Sequence, residues 1–402
     1  MKKITRFLLI VVCIFCLSGC FDYKEINEYA IVSGISIDKC EKENCKYTIG
    51  VQIMNAKKDE ESDNSLIAFY KADSNTIYEA LEKIMLDSPK ELYLGHNEVT
   101  VISDKLLKEK DPLNYFDYFM RDMQMEKDSL VIASKNDKAY NVLKIITPLE
   151  TIPSKNLRST LTIADKFSGT LTVITADEFV SKLLNTGKEP VLPSIKIIGS
   201  PKKGEKMDNI GQSNPDTKLK FSSLGFFEKS KLKGYLTNKE AVGYNILAGT
   251  QKNTYIQVKC DTDNYAIVRI NSAKKGEKMY FKDGKPKIDF NTNVNADLIE
   301  YNCKADFIKN EKKIKDLEIK VNKEIEKIMK KTINRLYNEN KSDTLEYGSK
   351  FNQRYNRKMK KLGYNPNNII NNISFKLKAN TTINSTNLSI KSVKEDNNEK
   401  DN

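Results

Sequence analysis

Apolar and polar residues alternate at two periods along this chain, and each period predicts a different kind of element. Ile31, Ser33, Ile35 and Ile37 share one face at a period of two, which predicts a strand over residues 30–38. Alternation and short apolar runs predict further strands over residues 46–54, 65–71, 96–102, 129–134, 191–199, 218–228 and 231–237, a strand-rich segment over 254–302, and two closing strands over 369–378 and 381–391.

Steps of three and four residues predict helices, the longest from residue 310 to about 337. Leu317, Val321, Ile325 and Ile328 lie on one face of this helix, with Lys and Glu on the other. A helix that covers a sheet is the preferred interpretation, and a coiled-coil dimer is the alternative. Further helices are predicted over residues 75–88, 112–120, 137–146, 177–185, 238–247 and 343–362, with a turn-rich region around Pro148 and Pro153.

The order of these elements predicts the fold class and the domains. Strands and helices mix without the regular alternation of a doubly wound sheet, so we predict a multi-domain α+β protein with mixed or antiparallel sheets and helices packed on one face. Polar residues with Pro201, Gly204, Gly211 and Pro215 break the pattern. The predicted parts are an N-terminal α+β region over 29–199, a linker over 200–217, a C-terminal α+β region over 218–392 as one unit or two subdomains, and a disordered tail over 393–402.

The start of the chain has the pattern of an export signal. Basic residues at positions 2, 3 and 6 precede an apolar run over residues 7–17, which is too short to cross a bilayer as a helix. Ser18, Gly19 and Cys20 follow and resemble the lipobox of bacterial lipoproteins. That resemblance implies a signal peptide over 1–19, a lipidated lead-in over 20–28 and a diacylglyceryl group on the Cys20 sulfur, with a further acyl chain on the new amine. The alternative is that Cys20 is one more cysteine of an apolar leader.

Net charge narrows the set of partners. The formal charge of the 402-residue chain is +13, and it falls to +10 without the leader, which carries three cations and no acids. A basic exported protein is attracted to anionic lipid headgroups or cell-wall polymers. The lysines are spread along the chain and interleaved with acids, which argues against a nucleic-acid partner. No later segment reaches the roughly 18 apolar residues of a membrane span.

Four further cysteines lie in the exported body. Cys40 and Cys45 flank the turn between two predicted strands, where a hairpin brings its ends together, so they are a candidate disulfide. The alternative is two free thiols. A zinc site is disfavoured because no second Cys or His pair lies at ligand spacing. Cys260 and Cys303 are interpreted as small core residues or a second bridge.

Candidate catalytic groups are scarce. His96 is the only histidine, and no neighbouring Ser or Cys has the pattern of a nucleophile, so we interpret it as structural. Phosphate-binding loops, dinucleotide fingerprints and metalloprotease helices are absent from the sequence. A carboxylate pair from distant parts of the chain stays open. We therefore predict no catalytic residue, no metal and no cofactor other than the lipid on Cys20.

Several segments resemble one family. Residues 20–38, from Cys20 to Asp38, resemble the mature start of the Ger(x)C family, the lipoprotein C subunits of spore germinant receptors. Phe21 departs from the tryptophan often found there. Further segments that resemble the family are 96–102 with 119–122, 224–227 with 233–236 and 240–241, and 343–348.

The resemblance implies a function as well as a fold. It implies a non-enzymatic, multi-domain α+β lipoprotein on the outer face of the spore inner membrane. Its implied partners are membrane lipid and the integral membrane A and B type subunits of a nutrient germinant receptor. The alternatives are a solute-binding lipoprotein of a transporter and a surface-anchored hydrolase.

Overall fold

Two sheets with packed helices make up the described part of the chain. A computed structural model describes residues 25–54, 67–121, 125–261, 263–303 and 310–385, with the single positions 4 and 307. The predicted signal peptide apart from position 4, Cys20 and the predicted tail over 393–402 lie outside these residues. The predicted fold class, α+β with mixed sheets, is confirmed.

The larger sheet has nine strands, with parallel strands at its centre and antiparallel strands at both ends. The strands are β1 (Tyr29–Lys39), β2 (Tyr47–Met54), β3 (Ile67–Ser74), β4 (Glu91–Tyr93), β5 (Val99–Ser103), β6 (Leu130–Ser134), β7 (Val191–Ile198), β8 (Lys218–Glu228) and β9 (Lys231–Tyr235). Their order in the sheet is β3-β2-β1-β5-β6-β7-β8-β9, and β4 pairs with the start of β1. The pairs β1·β5, β5·β6 and β6·β7 are parallel.

Helices cover both faces of this sheet. Val99 and Val101 of β5 face one hydrophobic cluster, whereas Ile102 faces the other, and every residue of β5 is buried. Parallel strands need this two-sided cover, so the predicted one-sided arrangement applies only to the smaller sheet. The helices are α1 (Ile77–Asp87), α2 (Asp104–Glu109), α3 (Leu113–Arg121), α4 (Ala139–Val142), α5 (Pro153–Phe167), α6 (Ala176–Leu184), α7 (Pro201–Gly204), α8 (Asn238–Ala248), α9 (Glu311–Ile333) and α10 (Tyr347–Lys361).

The smaller sheet has four strands and lies in the C-terminal region. Its strands are β10 (Thr254–Lys259), β11 (Tyr265–Lys282), β12 (Lys285–Tyr301) and β13 (Ser374–Ser385), in that order. Neighbours are antiparallel except β13, which runs parallel to β12. Leu317, Val321 and Ile325 of α9 are buried in the same cluster as the inward residues of the sheet. The preferred interpretation, an amphipathic helix that covers a sheet, is therefore confirmed.

The segment predicted as a linker, residues 200–217, connects two neighbouring strands of one sheet. It joins β7 to β8, which pair antiparallel, and it contains α7 and a short 3-10 helix, Met207–Asn209. The buried Asn209 side chain donates to the Ile146 and Thr217 carbonyl oxygens at 2.9 and 3.0 Å. One hydrophobic cluster extends from Val99 to residues of β13, so the two regions share a core.

Two helix and strand predictions are wrong, and α5 was not predicted. The unpredicted helix α5 begins at Pro153, the end of the turn-rich region, because proline fits the first turn of a helix, where its missing N–H costs no hydrogen bond. The two closing strands are a 3-10 helix, Ile369–Asn372, followed by β13. The helix predicted over 137–146 has only the four residues of α4. Among the described residues, no helix is both long enough and apolar enough to cross a bilayer.

Candidate functional site

The predicted site residues lie apart from one another. Cys20 is outside the described residues. The structure pairs Cys40 with Cys45 across the β1–β2 turn, with their Cα atoms 5.8 Å apart, and Cys260 with Cys303, with Cα atoms 6.0 Å apart. Asp73 lies near the first pair, but two sulfur atoms bonded to each other are poor metal ligands. Both disulfides stay predictions until the thiols are titrated.

His96 lies in the turn before β5 and is exposed. Its Nε2 atom is 3.6 Å from Glu98 Oε1, and the same carboxylate forms an ion pair with Arg158, whose Nε atom is 3.2 Å from Glu98 Oε2. Arg158 also reaches Asp128 at 3.5 Å. These ion pairs hold α5 against the starts of β5 and β6. The surroundings of His96 therefore fit a structural role.

A buried polar site lies where the two regions meet, and we call it the Asp343 junction. It consists of the segment 341–350 and the residues it contacts from the connection between α6 and β7. The Glu189 N–H donates to the Asp343 carbonyl oxygen at 3.2 Å, and the Ser349 N–H donates to the Gly187 carbonyl oxygen at 3.2 Å. The junction therefore joins backbones that are about 160 residues apart in sequence.

The Asp343 carboxylate organises the start of α10. Its Oδ1 atom accepts from the Tyr337 hydroxyl at 2.6 Å and the Tyr347 N–H at 2.9 Å, and its Oδ2 atom accepts from the Gly348 N–H at 2.6 Å. These two N–H groups belong to the first turn of the helix, which needs outside acceptors. Burial raises the pKa of Asp343 to about 6, although Tyr337 and the two N–H groups oppose the shift. This carboxylate is why α10 begins at Tyr347 and not at the predicted Asp343.

Glu346 takes a left-handed backbone conformation immediately before α10. Its φ is 62° and its ψ is 28°, which is unfavourable for a residue with a side chain. Its carboxylate pairs with Lys182 of α6 at 3.1 Å and with Lys188 at 3.5 Å. Burial raises the pKa of Glu346, but the two lysines outweigh it and the net shift is downward. The ion pairs therefore connect α6 to the strained turn.

Two glycines allow the backbones to approach. A Cβ atom on Gly348 would lie 2.1 Å from the Pro366 carbonyl oxygen and 2.9 Å from Asp343 Oδ2. A Cβ atom on Gly187, whose φ is 74°, would lie 2.7 Å from the Ser349 nitrogen. Only glycine fits these positions without a shift of the backbone.

Aromatic rings close the inner side of the junction. The ring of Tyr347 lies 6.1 Å from Tyr337 and 5.6 Å from Phe375 of β13. The Tyr347 hydroxyl donates to Glu277 of β11 at 3.2 Å, and Lys350 lies 3.8 Å from the same carboxylate. The junction thus connects the larger sheet, α10 and the smaller sheet.

This arrangement is suited to holding two regions in a fixed relation. The Asp343 carboxylate is occupied by three donors, and an adjacent cavity of about 450 Å³ is bordered by Gly187, Glu189 and Pro366. The family resemblance singled out residues 343–348 in the sequence. No sequence pattern pointed to Lys182 or Glu189 as residues of a site. Their role depends on a distant segment, and neither periodicity nor spacing reports such a contact.

A second buried carboxylate, Asp38, performs a similar task in the N-terminal region. It is the second-last residue of β1 and accepts from the Ala139 and Tyr140 N–H groups at 2.8 and 3.0 Å. These groups start α4, so Asp38 supplies acceptors to a helix that begins 101 residues later in the sequence. Burial raises its pKa to about 6.

Two grooves flank α9. One, of about 1210 Å³, lies between α9, the π-helical turn that follows it and β13. The other, of about 740 Å³, lies between α9, α8 and β10 and reaches Ser168 and Thr170. Its apolar floor includes Ile256 and Ile328, while Glu324 in its rim pairs with Lys239 at 3.3 Å and Lys327 at 3.7 Å. A groove of this size matches small-ligand sites.

Comparison with known proteins gives matches over nearly the whole body. Two family models match, the spore germination protein N-terminal domain over residues 22–197 and the spore germination B3/GerAC-like C-terminal domain over 222–387. Spore germination protein KC of Bacillus subtilis (strain 168) is 27% identical over 374 residues, covering 90% of each chain. Spore germination protein B3 of the same organism is 20% identical, covering 85% of this chain and 87% of its own.

The fold also matches a solved structure. The crystal structure of the GerBC protein superposes with a TM-score of 0.56 at 16% identity and covers 90% of this chain and 99% of its own. That similarity supports the fold, and the two family models, which together match most of the chain, support the family. The chain therefore belongs to the Ger(x)C family of spore germination proteins.

Proposed function

We propose that this protein is the lipid-anchored C subunit of a nutrient germinant receptor in spores. Residues 1–19 are the signal peptide, and Cys20 carries a diacylglyceryl thioether and an acylated amine. These chains hold the body at the outer face of the spore inner membrane, because two or more chains are needed for stable anchoring. The partners are the integral membrane A and B type subunits.

One observation carries this proposal. The family match begins at residue 22, two residues after Cys20, and continues to residue 387. The candidate lipid site therefore lies at the start of the matched body, directly after an apolar leader with basic residues before it. An anchor at this position confines the body to a thin layer at the membrane and raises its effective concentration near membrane partners.

The proposed subunit has no catalytic step. The buried Asp343 carboxylate is occupied by three donors, and the single histidine lies at the surface with its Nε2 atom 3.6 Å from Glu98 Oε1. The polar residues of the Asp343 junction tie structural elements together. We propose that the junction keeps the two regions rigid, so that the subunit presents one fixed surface to its partners.

The Cys20→Ala variant tests the anchor. Metabolic labelling with a radioactive fatty acid should label the wild-type protein and leave the variant unlabelled, and the variant should leave the membrane fraction. Cys13→Ala and Cys16→Ala, two cysteines of the same leader, are the matched controls and should keep label and membrane retention. A labelled, membrane-bound Cys20→Ala protein contradicts the proposal.

Crosslinking in intact spores tests the partners. The full chain should capture integral membrane germinant receptor subunits, and deletion of its gene should abolish germination triggered by the matching nutrient. Normal germination by every nutrient in the deletion strain contradicts the receptor role.

A solute-binding lipoprotein is the second candidate function, and the groove of about 740 Å³ beside α9 favours it. Calorimetric titration of the protein with amino acids and sugars distinguishes the two. Micromolar binding that is lost on Thr170→Trp, which enlarges a half-buried side chain in the lining of the groove, supports solute capture. Absence of binding supports the receptor role without a solute site in this subunit.

A further inference from the structure

The outward face of the smaller sheet is strongly basic. Backbone register places Lys278 opposite Asp289, which lies opposite Lys376, and places Asn291 opposite Lys378. Residues directly opposite each other point to the same face of a sheet. The lysines on this face, which we call the basic sheet face, are Lys274, Lys278, Lys282, Lys285, Lys287, Lys376 and Lys378.

These side chains are held toward solvent. The alternate positions of the same strands, including Ile288, Phe290 and Ala379, are buried in the hydrophobic cluster. Side chains of a strand alternate between the two faces of the sheet. Because the alternate residues are buried in the core, the lysines between them must point to solvent. Six of the seven lysines are exposed, and Lys287 is half-buried.

The charge of this face is not neutralised by the described residues. Asp289 is the one carboxylate among the outward positions of 274–282, 285–293 and 374–380, and it accepts from the Tyr280 hydroxyl at 3.3 Å. None of the seven lysines is within ion-pair distance of a described carboxylate. On α9, by contrast, lysines and glutamates are interleaved, as in the 3.7 Å pair of Lys327 and Glu324.

The shape of this face favours a flat anionic partner. Neighbouring strands lie about 4.8 Å apart, and outward residues along one strand repeat about every 6.6 Å. The lysine charges therefore form a two-dimensional array on the sheet surface and do not surround a groove. The described body begins at Glu25, five residues after Cys20, which is a reach of less than about 18 Å. With the proposed anchor, the nearest extended anionic surface is the bilayer.

We propose that the basic sheet face lies against the anionic lipid headgroups of the membrane. The inference rests on the proposed anchor for proximity, whereas the charge array belongs to the sheet itself. The attraction acts over about one Debye length, so the contact depends on ionic strength and on anionic lipid. It fixes the orientation of the body, which a flexible lead-in alone does not fix.

Lysine footprinting of the full-length lipidated protein tests this surface. The protein is placed in vesicles of phosphatidylcholine alone or of phosphatidylcholine with phosphatidylglycerol at seven to three, and acylated lysines are mapped by mass spectrometry. Lys278, Lys376 and Lys378 should react about five-fold more slowly in the anionic vesicles. Lys323, Lys330 and Lys331 of α9, also exposed, are the internal control and should react at the same rate in both.

Two results would overturn the inference. One is equal reaction of the basic sheet face in both vesicle types, which means that lipid charge does not matter or that another part of the protein covers the face. The other is equal slowing of both lysine groups, which means general shielding. The triple variant K278E/K376E/K378E should lose the difference between vesicles, and the equally charged variant K323E/K330E/K331E should keep it.

A separate measurement distinguishes this inference from the anchor. The body without leader or lipid, residues 21–402, mixed with preformed vesicles at low salt, should float with the anionic vesicles and not with the neutral ones, and added salt should release it. Failure of wild-type protein to float with neutral vesicles contradicts the anchor alone. Failure of the unlipidated body, residues 21–402, to float with anionic vesicles at low salt contradicts the basic sheet face alone.

Discussion

The carboxylate of Asp343 accepts the backbone N–H of Gly348 at 2.6 Å, and this bond connects the segment before α10 to its first turn. Gly348 also lies against the segment around Pro366, whose carbonyl oxygen would be 2.1 Å from a Cβ atom at position 348. The bond therefore depends on a residue without a side chain. Beside this bond, the Glu189 N–H donates to the Asp343 carbonyl oxygen at 3.2 Å and joins the two halves of the chain at the Asp343 junction.

Gly348→Ala should destabilise the protein. The new Cβ atom would lie 2.1 Å from the Pro366 carbonyl oxygen, so the backbone must move and the Asp343 bond must lengthen. We expect a loss of about 3 kcal/mol in the free energy of unfolding, measured by urea denaturation. Gly276→Ala is the matched control, because its Cβ atom would lie 3.6 Å from the Asn291 oxygen. Equal stability of the two variants would contradict the close approach.

Asp343 should give the stability of the protein a distinct pH dependence. Its folded pKa of about 6 is above the ordinary value of 3.8, so its favourable contribution is complete below about pH 4 and is lost as the pH rises through 6. Asp343→Asn removes this titration. The stability lost on substitution should therefore be larger at pH 4.5 than at pH 7.5, by on the order of 2 kcal/mol. A larger loss at pH 7.5 would mean that the folded pKa is lowered.

Substitution by glycine should have opposite effects on stability at the two residues before α10 that have a left-handed backbone conformation. Lys341, with a φ of 54°, is exposed, so Lys341→Gly should relieve strain and raise the stability by up to about 1 kcal/mol. Glu346→Gly relieves the same strain but removes the ion pairs to Lys182 and Lys188, so it should lower stability by roughly 1 kcal/mol. Thermal unfolding of both variants measures the difference. A stabilising Glu346→Gly would show that the ion pairs contribute little.

The two disulfides should differ in their effect on stability. Cys40 and Cys45 are 5 residues apart, and Cys260 and Cys303 are 43 residues apart. On the chain-entropy model, the short loop contributes about 2 kcal/mol and the long loop about 4 kcal/mol. Urea unfolding of the double serine variants should reproduce this order. A thiol titration of the unfolded, unreduced protein that finds any of these four thiols free would contradict the corresponding bridge.

Local sequence pattern predicted most elements because their signals are local. The alternation in β1 and the steps of three and four in α9 describe which face is buried, and both elements form where the pattern places them. Pattern failed at α5, where proline was interpreted as a turn signal although it begins the helix. It also predicted two strands, over 369–378 and 381–391, where the structure has the single strand β13. The local pattern does not show whether such a segment is one strand or two, because the partner strand that sets its length is unknown.

The sequence by itself determined that the chain has an export leader pattern ending at Cys20, an α+β body and few groups suited to catalysis, since residue order and composition carry these properties directly. Tertiary structure alone decided that Lys182 meets Glu346, that Asp343 supplies acceptors to α10, and that seven lysines from three strands form one face. The reason is physical. Strand register and the burial of one sheet face set which distant residues become neighbours, and no local pattern contains that information.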